Sequence, residues 1–306
     1  MTRIVQNLFA KPVRTNFNSG EQQYLNLVKK VIYTGDKQWG RNGEILSIFG
    51  EKMEFPLYNY KIPILTTKKL AWKTCLKELL WFIGGETDNN KLSEQNVKIW
   101  NANASEEFKL SRNLKYTNPG DLGPIYGHQW RHFNAPYVGC DHDYTGKGVD
   151  QLQNVIDMLS DPKELMSRRI YMSAWNPCQL NEMVLPPCHI SSHYRVNVNG
   201  ELSCAIYQRS GDVGLGVPFN IASYSLLTCL IAKQCGLKPG RLIHFIGDAH
   251  IYSSHIEILK EQLTRIPKEA PYVEIKKKQN INSYTLEDFK LVDYKHHGPL
   301  KMSMIA

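Results

Sequence analysis

The chain has 306 residues, 42% of them hydrophobic, and a formal net charge of +8. This length allows one large domain, and no stretch approaches the roughly 18 uncharged apolar residues that a membrane helix needs. The N-terminus lacks a signal-peptide pattern, and the odd number of cysteines, 7, includes no CxxC pair. We therefore predict a cytoplasmic protein, with a nuclear or organellar location left open, that has neither a disulfide framework nor a zinc site. The positive charge suits an anionic substrate or partner but does not by itself indicate nucleic acid.

Hydrophobic periodicity predicts several helices. Leu25, Val28 and Ile32 recur at helical spacing and predict a helix over residues 20–33, preceded by a flexible arm over residues 1–19. The same spacing predicts further helices over residues 70–83, 149–159, 225–234 and up to residue 263. Glu78 lies beside the apolar face of its helix, where a carboxylate is unfavourable unless it is paired or functional. The alternative for Glu78 is an ordinary surface glutamate.

Short segments typical of strands are interspersed with these helices, without a regular βαβ alternation. Strands are predicted over residues 45–49, 170–174, 242–246, 272–276 and 289–294. Residues 37–43 are predicted to form a basic loop, and residues 102–148 a long segment dominated by loops. No GxGxxG or P-loop sequence occurs, which disfavours a Rossmann or kinase-like nucleotide site. We predict a single α+β domain over residues 1–306, with a mixed, mainly antiparallel β-sheet flanked by helices.

A β-hairpin is predicted around Asn199-Gly200. These residues favour the positive φ angles of a two-residue type I′ turn, and apolar and polar residues alternate on either side of them. A strict register places Cys188 opposite Gly211, but it puts the two apolar sets on opposite faces of the hairpin. Either both faces are covered, or a bulge shifts the pairing by one residue. In both cases Arg209 comes close to Cys188, because paired strands lie about 5 Å apart.

Cys188 beside Arg209 has the chemistry of a nucleophile next to an anion site. The thiolate is the reactive form of cysteine, and a nearby cation stabilises it. Pro186 and Pro187 stiffen the approach to the cysteine and remove two backbone donors. The alternative is that Cys188 is a small buried apolar side chain, as most free cysteines are. The residues alone leave both interpretations open.

Three motifs in the second half of the chain resemble the thymidylate synthase family. They are LPPCH from residue 185, YQRSGD from residue 207 and GLGVPFNIASY from residue 214, in that order and spacing. Further segments resemble the family over nearly the whole chain, among them TTKKLAWKTCLKELLWFIGG, VKIWNAN, DLGPIYGHQWRHF, SRRIYMSAWNP, GDAHIYSSHIE and the ending KMSMIA. The resemblance is closest to eukaryotic-type members.

The resemblance implies reductive methylation of dUMP to dTMP, with 5,10-methylenetetrahydrofolate as co-substrate and no metal. Cys188 would add to C6 of the uracil ring, and the folate would supply both the one-carbon unit and the hydride. The resemblance also implies a homodimer in which the β-sheet packs against its dimer mate. Arg168 and Arg169 would reach the phosphate bound by the other subunit.

The resemblance also assigns the site residues, motif by motif. The catalytic group comprises Cys188, Glu78, His189, Tyr126 and Asn220. The dUMP-binding group comprises Arg168, Arg169, Arg209, Ser210, Asp212, Asn220, His250, Tyr252 and Arg41. The folate-binding group comprises Lys68, Trp100, Asn101, Asp212, Leu215, Gly216, Phe219 and Ala306. In these roles Asn220 would hydrogen-bond the uracil ring, Glu78 would be the general acid and base, and residues 300–306 would close over the site.

The chain departs from the family pattern in three places. Gly40 falls where the family has an arginine, unless a one-residue deletion aligns Arg41 with it. His193 stands where a glutamine is usual and Asn101 where an aspartate is usual, and we expect both near the water network of the folate site. These changes keep open a dUMP 5-hydroxymethylase of the same fold. The basic charge suggests a further alternative, a catalytically inactive RNA-binding homologue, although the sequence shows no RNA-binding motif.

Overall fold

The computed structural model describes residues 19–40, 42–114, 116 and 118–305. In this part of the chain the helices are α1 (Ser19–Thr34), α2 (Trp72–Ile83), α3 (Asn89–Ser93), α4 (Asn101–Ala104), α5 (Glu106–Ser111), α6 (Tyr126–His132), α7 (Gln151–Ser160), α8 (Gly216–Gln234) and α9 (Ile256–Leu263). The strands are β1 (Asp36–Gly40), β2 (Gly43–Pro56), β3 (Tyr171–Ser173), β4 (His189–Val196), β5 (Glu201–Asp212), β6 (Lys238–Tyr252), β7 (Tyr272–Ile275) and β8 (Phe289–Val292). Most of the predicted N-terminal arm, together with Arg41 and Ala306, lies outside the described residues.

A mixed sheet with the strand order β1-β2-β6-β5-β4-β3 forms the centre of the described chain. Its neighbouring strands are antiparallel, except that β5 and β6 are parallel. A parallel pair needs a crossover connection, which α8 provides. Strands β7 and β8 form a separate antiparallel pair. The predicted α+β class, with a mixed and mainly antiparallel sheet, is confirmed.

Helix α8 packs against β5 and β6 and is longer than predicted. The sequence favours a helix only from residue 225, because the preceding Gly- and Pro-containing stretch is typical of a loop. In the structure the helix begins at Gly216, and Pro218 lies in the first turn, where a proline is tolerated. Leu226 and Leu230 are fully buried in the core. The extension places Asn220 on a helix that is fixed against the sheet.

The hairpin of β4 and β5 is confirmed, but its turn differs from the prediction. The carbonyl of Asn197 accepts a hydrogen bond from the N–H of Gly200 at 3.0 Å, and Gly200 has a positive φ of 71°. The loop is therefore longer than a type I′ turn, and Val196 pairs with Leu202. This is the one-residue shift that we give as the alternative to strict pairing, and it puts both apolar sets on one face.

A second irregularity corrects the predicted partner of Cys188. The register of the hairpin shifts between His189 and Ser191. As a result the N–H of Arg209 donates to the carbonyl of Cys188 at 2.8 Å. Cys188 therefore lies opposite Arg209 and not opposite Gly211. Bulges commonly redirect side chains beside active sites, and this one strengthens the predicted contact between the thiol and the arginine.

The other face of the large sheet keeps bulky apolar side chains in contact with solvent. Tyr207 and Phe245 pair on neighbouring strands and are 42% and 40% exposed, and Tyr171 on the edge strand is 51% exposed. Exposed apolar side chains that lie together on one face of a sheet are typical of an interaction surface.

Two segments predicted as loops contain regular structure. Much of the predicted basic loop 37–43 is the strand β1, which pairs with β2. The segment 102–148 contains α5 and α6, which are too short and too polar to show a clear periodicity. Among the described residues, no helix has the length and apolar character that crossing a membrane requires.

Candidate active site

Cys188 and Arg209 meet at the open end of the β4–β5 hairpin. The guanidinium nitrogen Nη2 of Arg209 lies 3.9 Å from the Cys188 sulfur. The same guanidinium donates to the carbonyls of Pro187 and Pro186, at 2.8 and 2.9 Å. Both carbonyls belong to the segment that leads to the cysteine, so the arginine and the thiol are held as one unit. A fixed cation beside the sulfur favours its thiolate form and also offers donors to an anion.

Tyr126 and His189 form a neutral wall next to the cysteine. The Cys188 N–H donates to the Tyr126 hydroxyl at 2.8 Å, and the Tyr126 ring stacks on His189 at 4.1 Å between centroids. Burial lowers the pKa of His189 to about 3, so its ring is uncharged at neutral pH. Burial likewise raises the pKa of Tyr126 well above its usual value, which keeps the hydroxyl protonated. This side of the site can exchange hydrogen bonds without holding a charge.

Glu78 lies on α2 with its carboxylate against Trp100. The indole N–H of Trp100 donates to Glu78 Oε1 at 2.8 Å. Burial raises the pKa of Glu78 from its usual 4.5 to about 7, although the indole hydrogen bond acts in the opposite direction. A carboxyl group with a pKa near the working pH can both donate and accept a proton, which is the requirement for a general acid and base. Glu78 is therefore half-buried and hydrogen-bonded, unlike an ordinary surface glutamate.

Asn220 is oriented by a chain of buried polar groups. Its side-chain oxygen accepts a hydrogen bond from Gln208 Nε2 at 3.0 Å, and Gln208 Oε1 contacts His244 Nε2 at 2.8 Å. An amide oxygen only accepts, so His244 donates through Nε2 and fixes the Gln208 amide. Our sequence interpretation missed Gln208 and His244. Their signal is a polar residue at a strand position that otherwise alternates with apolar, inward-facing residues.

His250 and Tyr252 lie at the end of β6. The Nδ1 of His250 donates to Asp248 Oδ1 at 2.8 Å, and Ser47 donates to the other carboxylate oxygen of Asp248 at 2.7 Å. The hydrogen bond from His250 lowers the pKa of Asp248, which stays ionised. In the neutral form of the ring, Nδ1 carries the proton in this contact and Nε2 is an acceptor. The rings of His250 and Tyr252 are 5.4 Å apart, edge to face.

Several of the predicted folate residues lie in or beside the loop Asp212–Leu215, which joins β5 to α8. Asp212 Oδ1 accepts hydrogen bonds from the N–H groups of Gly214 and Leu215, at 2.8 and 3.3 Å. A side chain at Gly216 would begin 3.7 Å from Asp212 Cβ and 3.9 Å from Asn220 Oδ1. The glycine thus leaves open a space between these two side chains.

Lys68 supports the same loop from a buried position. It is 4% exposed, and its ammonium group donates to the carbonyl of Gly214. Burial lowers the pKa of Lys68 to about 8. Phe219, on the first turns of α8, is half-buried against the core.

Some predicted residues lie apart from this cluster. Arg168 and Arg169 are exposed just ahead of the edge strand β3, and the Arg168 carbonyl contacts His193 Nε2 at 3.1 Å. Ser210, by contrast, follows Arg209 on β5 and pairs with Asp248 on β6. Asn101 accepts hydrogen bonds from its neighbours Asn89 and Ser93, at 3.1 and 2.9 Å.

One group of potential metal ligands lies in the described part of the chain. It consists of Asp88, Cys140 and Asp141, whose ligand atoms lie within 4.8 Å of one another. Burial and the neighbouring carboxylates raise the pKa of Cys140 to about 12. This group includes none of the predicted site residues.

Comparison with known proteins identifies the family. The family model for thymidylate synthase matches residues 22–306. Thymidylate synthase from Ascaris suum is 51% identical over 291 residues, which cover 94% of this chain and 98% of the relative. The enzyme from Saccharomyces cerevisiae is 48% identical over 299 residues, covering 94% and 97%. The bifunctional dihydrofolate reductase-thymidylate synthase of Zea mays is 51% identical over 287 residues, 93% of this chain and 54% of the relative, so the chain spans about half the length of such bifunctional relatives. The chain belongs to the thymidylate synthase family.

Proposed function

We propose that the protein is a methyltransferase that converts dUMP to dTMP, with 5,10-methylenetetrahydrofolate as co-substrate. The observation that carries this proposal is the contact between the Cys188 sulfur and the anchored guanidinium of Arg209, 3.9 Å apart. A thiolate is needed to attack C6 of uracil, and a cation is needed to bind the phosphate of the same nucleotide. The family match over residues 22–306 supports the same activity.

The nucleotide would be held from both ends. Arg209 and Ser210 bind its phosphate, since a guanidinium and a hydroxyl both donate to phosphate oxygens. His250 accepts a hydrogen bond from the sugar 3′-hydroxyl through Nε2, because its Nδ1 donates to Asp248. Tyr252 lies beside it and shares this contact.

Asn220 would select uracil. Its amide offers a donor to O4 and an acceptor to the N3–H, which matches uracil and not cytosine. The hydrogen bond from Gln208 to Asn220 Oδ1 fixes which end of the amide is which. Selection of the base therefore depends on the donor and acceptor directions of the hydrogen bonds that run from His244 through Gln208 to Asn220.

The neutral wall and Glu78 would handle protons around the ring. As Cys188 adds to C6, negative charge develops toward O4, and the Glu78 carboxyl, with a pKa of about 7, can give or take the proton there. Tyr126 is held next to the nucleophile by its hydrogen bond with the Cys188 N–H. His189 stays uncharged and does not compete with Arg209 for the thiolate.

The folate would bind at the loop Asp212–Leu215 and the start of α8. When bound, it supplies the one-carbon unit and the hydride. The open space at Gly216, between Asp212 and Asn220, fits the edge of a flat ring. Apolar walls would come from Trp100, Leu215 and Phe219. Lys68 would hold the loop and offer positive charge to the glutamyl carboxylate, and Asn101 and Ala306 would complete the folate side.

The active unit would be a homodimer. The exposed apolar face of the sheet, around Tyr207 and Phe245, offers a surface for a second copy of the chain. Arg168 and Arg169 are exposed and have no place in the cluster of their own protomer, so they can serve the phosphate of the partner's site. Arg41 would join them.

Mixing two inactive variants tests this arrangement. Cys188→Ser and the double substitution Arg168→Ala with Arg169→Ala each disable the protein if the site is shared. A mixed dimer regains one intact site, so activity should return to about a quarter of the wild-type value after subunit exchange, as random pairing gives half mixed dimers with one site each. No recovery in a verified mixed dimer would show that each protomer builds its site alone.

Product analysis tests the activity itself. The purified protein is incubated with dUMP and 5,10-methylenetetrahydrofolate, and the nucleotides are identified by mass spectrometry. We expect dTMP together with dihydrofolate. A 5-hydroxymethyl product would replace the proposal with the hydroxymethylase, and the absence of any product would favour an inactive homologue.

A further inference from the structure

His255 connects the C-terminal tail to the body of the protein. It lies at the start of α9, 1% exposed, and its Nε2 contacts the carbonyl of Ser303 at 2.8 Å. A carbonyl only accepts, so His255 is the donor and Nε2 carries the proton. The next anchor back along the chain is the hydrogen bond from Arg265 to the carbonyl of Gly298, at 2.8 Å. Residues 299–305, which we name the tail, extend beyond that anchor.

The other ring nitrogen of His255 faces the loop Asp212–Leu215. A Cβ added at Gly214 would lie 3.0 Å from His255 Nδ1 and 3.4 Å from the sulfur of Met302 in the tail. Nδ1 is buried and has no hydrogen-bond partner among the described residues. The loop, the histidine and the tail therefore meet at the α-carbon of Gly214, where a side chain would force a neighbour to move by a few tenths of an ångström.

The position of His255 relates the tail to both substrates. Its ring lies 5.7 Å from that of Tyr252, which is proposed to hold the sugar. Gly214, on the other side of His255, belongs to the loop proposed to hold the folate. Its carbonyl also accepts a hydrogen bond from the ammonium group of Lys68. A histidine that is fixed between these two groups can place the tail accurately over the folate side.

We propose that His255 is a positioning residue that latches the tail in its closed position over the loop Asp212–Leu215. This inference rests on the proposed function, because closure matters for the hydride step, where water must be excluded. Without the Nε2 donor, the tail opens more often, and the intermediate left after loss of the C5 proton is exposed to solvent. Binding of dUMP, which precedes closure, is not affected.

Three substitutions separate the donor from the bulk of the ring. In His255→Gln the amide nitrogen reaches about as far as Nε2 and can still donate to the Ser303 carbonyl. In His255→Asn the same group is too short, and in His255→Leu it is absent. Ser303→Ala serves as the control, since only the backbone carbonyl of Ser303 takes part in the contact.

Two measurements are made on each full-length variant. The first is the yield of dTMP per tritium released from dUMP labelled at C5, which reports how often loss of the C5 proton is followed by hydride transfer. The second is amide hydrogen exchange of residues 299–305 in the protein without substrates. We expect the yield of dTMP per tritium released to fall about tenfold in His255→Asn and His255→Leu. The amide hydrogens of the tail should exchange about tenfold faster in these variants, which corresponds to ~1.4 kcal/mol. We expect dUMP affinity to be unchanged, and His255→Gln and Ser303→Ala to match the wild type.

The outcomes distinguish the inference from the proposed function. If the wild type releases no tritium from dUMP, the proposed function fails, while hydrogen exchange still tests the latch. If all three His255 variants give the same yield of dTMP per tritium released, whether that yield is normal or reduced, the Nε2 donor does not hold the tail. The inference then fails. If His255→Leu does not fold, Gly214→Ala tests the contact from the other side, because its Cβ would lie 3.0 Å from His255 Nδ1, 3.2 Å from Asp212 Oδ1 and 3.4 Å from the Met302 sulfur, and at least one of them must shift. Normal exchange and coupling in that variant would also overturn the latch.

Discussion

The candidate site has two halves with opposite electrostatics. On one side the Cys188 sulfur lies 3.9 Å from a guanidinium that is tied to two backbone carbonyls. On the other side Glu78, Tyr126 and His189 are all shifted by burial toward their uncharged forms. One half stabilises an anion, and the other can move protons without fixing a charge. A reaction that needs a nucleophile and a proton carrier on the same ring needs both environments side by side.

Loss of the nucleophile should have the largest effect. Cys188→Ser removes the thiolate while it keeps the size of the side chain, so we expect turnover to fall by about 10⁵-fold or more. Binding of dUMP, measured by calorimetry, should change little, since Arg209 remains. Cys178→Ser is the matched control, because Cys178 is exposed and is not a site residue. Residual turnover within tenfold of the wild type would remove Cys188 from its role.

Loss of the proton carrier should have the next largest effect. Glu78→Gln keeps the hydrogen bond with Trp100 possible but cannot exchange a proton, so we expect kcat to fall by up to about 10⁴-fold. The wild-type rate should show an inflection near the Glu78 pKa of about 7, and the variant should lack it. Glu107→Gln on the exposed face of α5 is the control. An inflection that survives in Glu78→Gln would assign it to another group.

A charge introduced at Asn220 tests base selection. Asn220→Asp can still accept the hydrogen bond from Gln208, but it can no longer donate to O4 of uracil. We expect the preference for dUMP over dCMP, measured as the ratio of kcat/KM values, to shift by on the order of 10³-fold. Unchanged selectivity would place the recognition of O4 and N3 on other residues.

The smallest expected effect concerns stability. The folded-state pKa of Glu78 is raised from 4.5 to about 7, so the native state binds more protons than the unfolded state between these values. The free energy of unfolding therefore falls as the pH rises through this window, and the loss is complete above it. Glu78→Gln removes the loss. We expect the variant to be more stable than the wild type above neutral pH by about 3 kcal/mol, with no difference in acid.

Urea unfolding at a series of pH values measures this difference. The sign is opposite to that of the activity change, because the same buried carboxyl favours catalysis and disfavours folding. If the free energy of unfolding changed with pH in the same way for the wild type and Glu78→Gln, the pKa of Glu78 would not be raised in the native state.

Much of the fold could be predicted from local pattern, and the site only in part. The periodicity of Trp72, Leu76 and Leu79 predicts α2, because an amphipathic helix needs nothing outside its own segment. The register of the β4–β5 hairpin was not determined by its turn residues, since Gly200 adopts positive φ in more than one kind of loop. The alternative of a one-residue shift follows only from the requirement that both apolar sets share one face.

The residues that support the site were harder to predict than those that form it. His244 and Gln208 act through contacts between strands that are distant in sequence, and His255 acts on a tail that follows it by almost fifty residues, 48 to Ser303. The motifs name the groups that touch substrate. They do not show which buried polar group fixes each of them, because that depends on how the strands and loops pack.

The tether between Arg209 and the carbonyls of Pro186 and Pro187 has an entropic consequence. A free arginine side chain loses about 2 kcal/mol of rotamer entropy when it is immobilised. Here that entropy is lost during folding, when Arg209 bonds to the two proline carbonyls. The diproline segment itself loses little, because its φ angles are already restricted. Arrival of a phosphate then need not order the side chain, so ligand binding can be tight without a large ordering cost at the anion site.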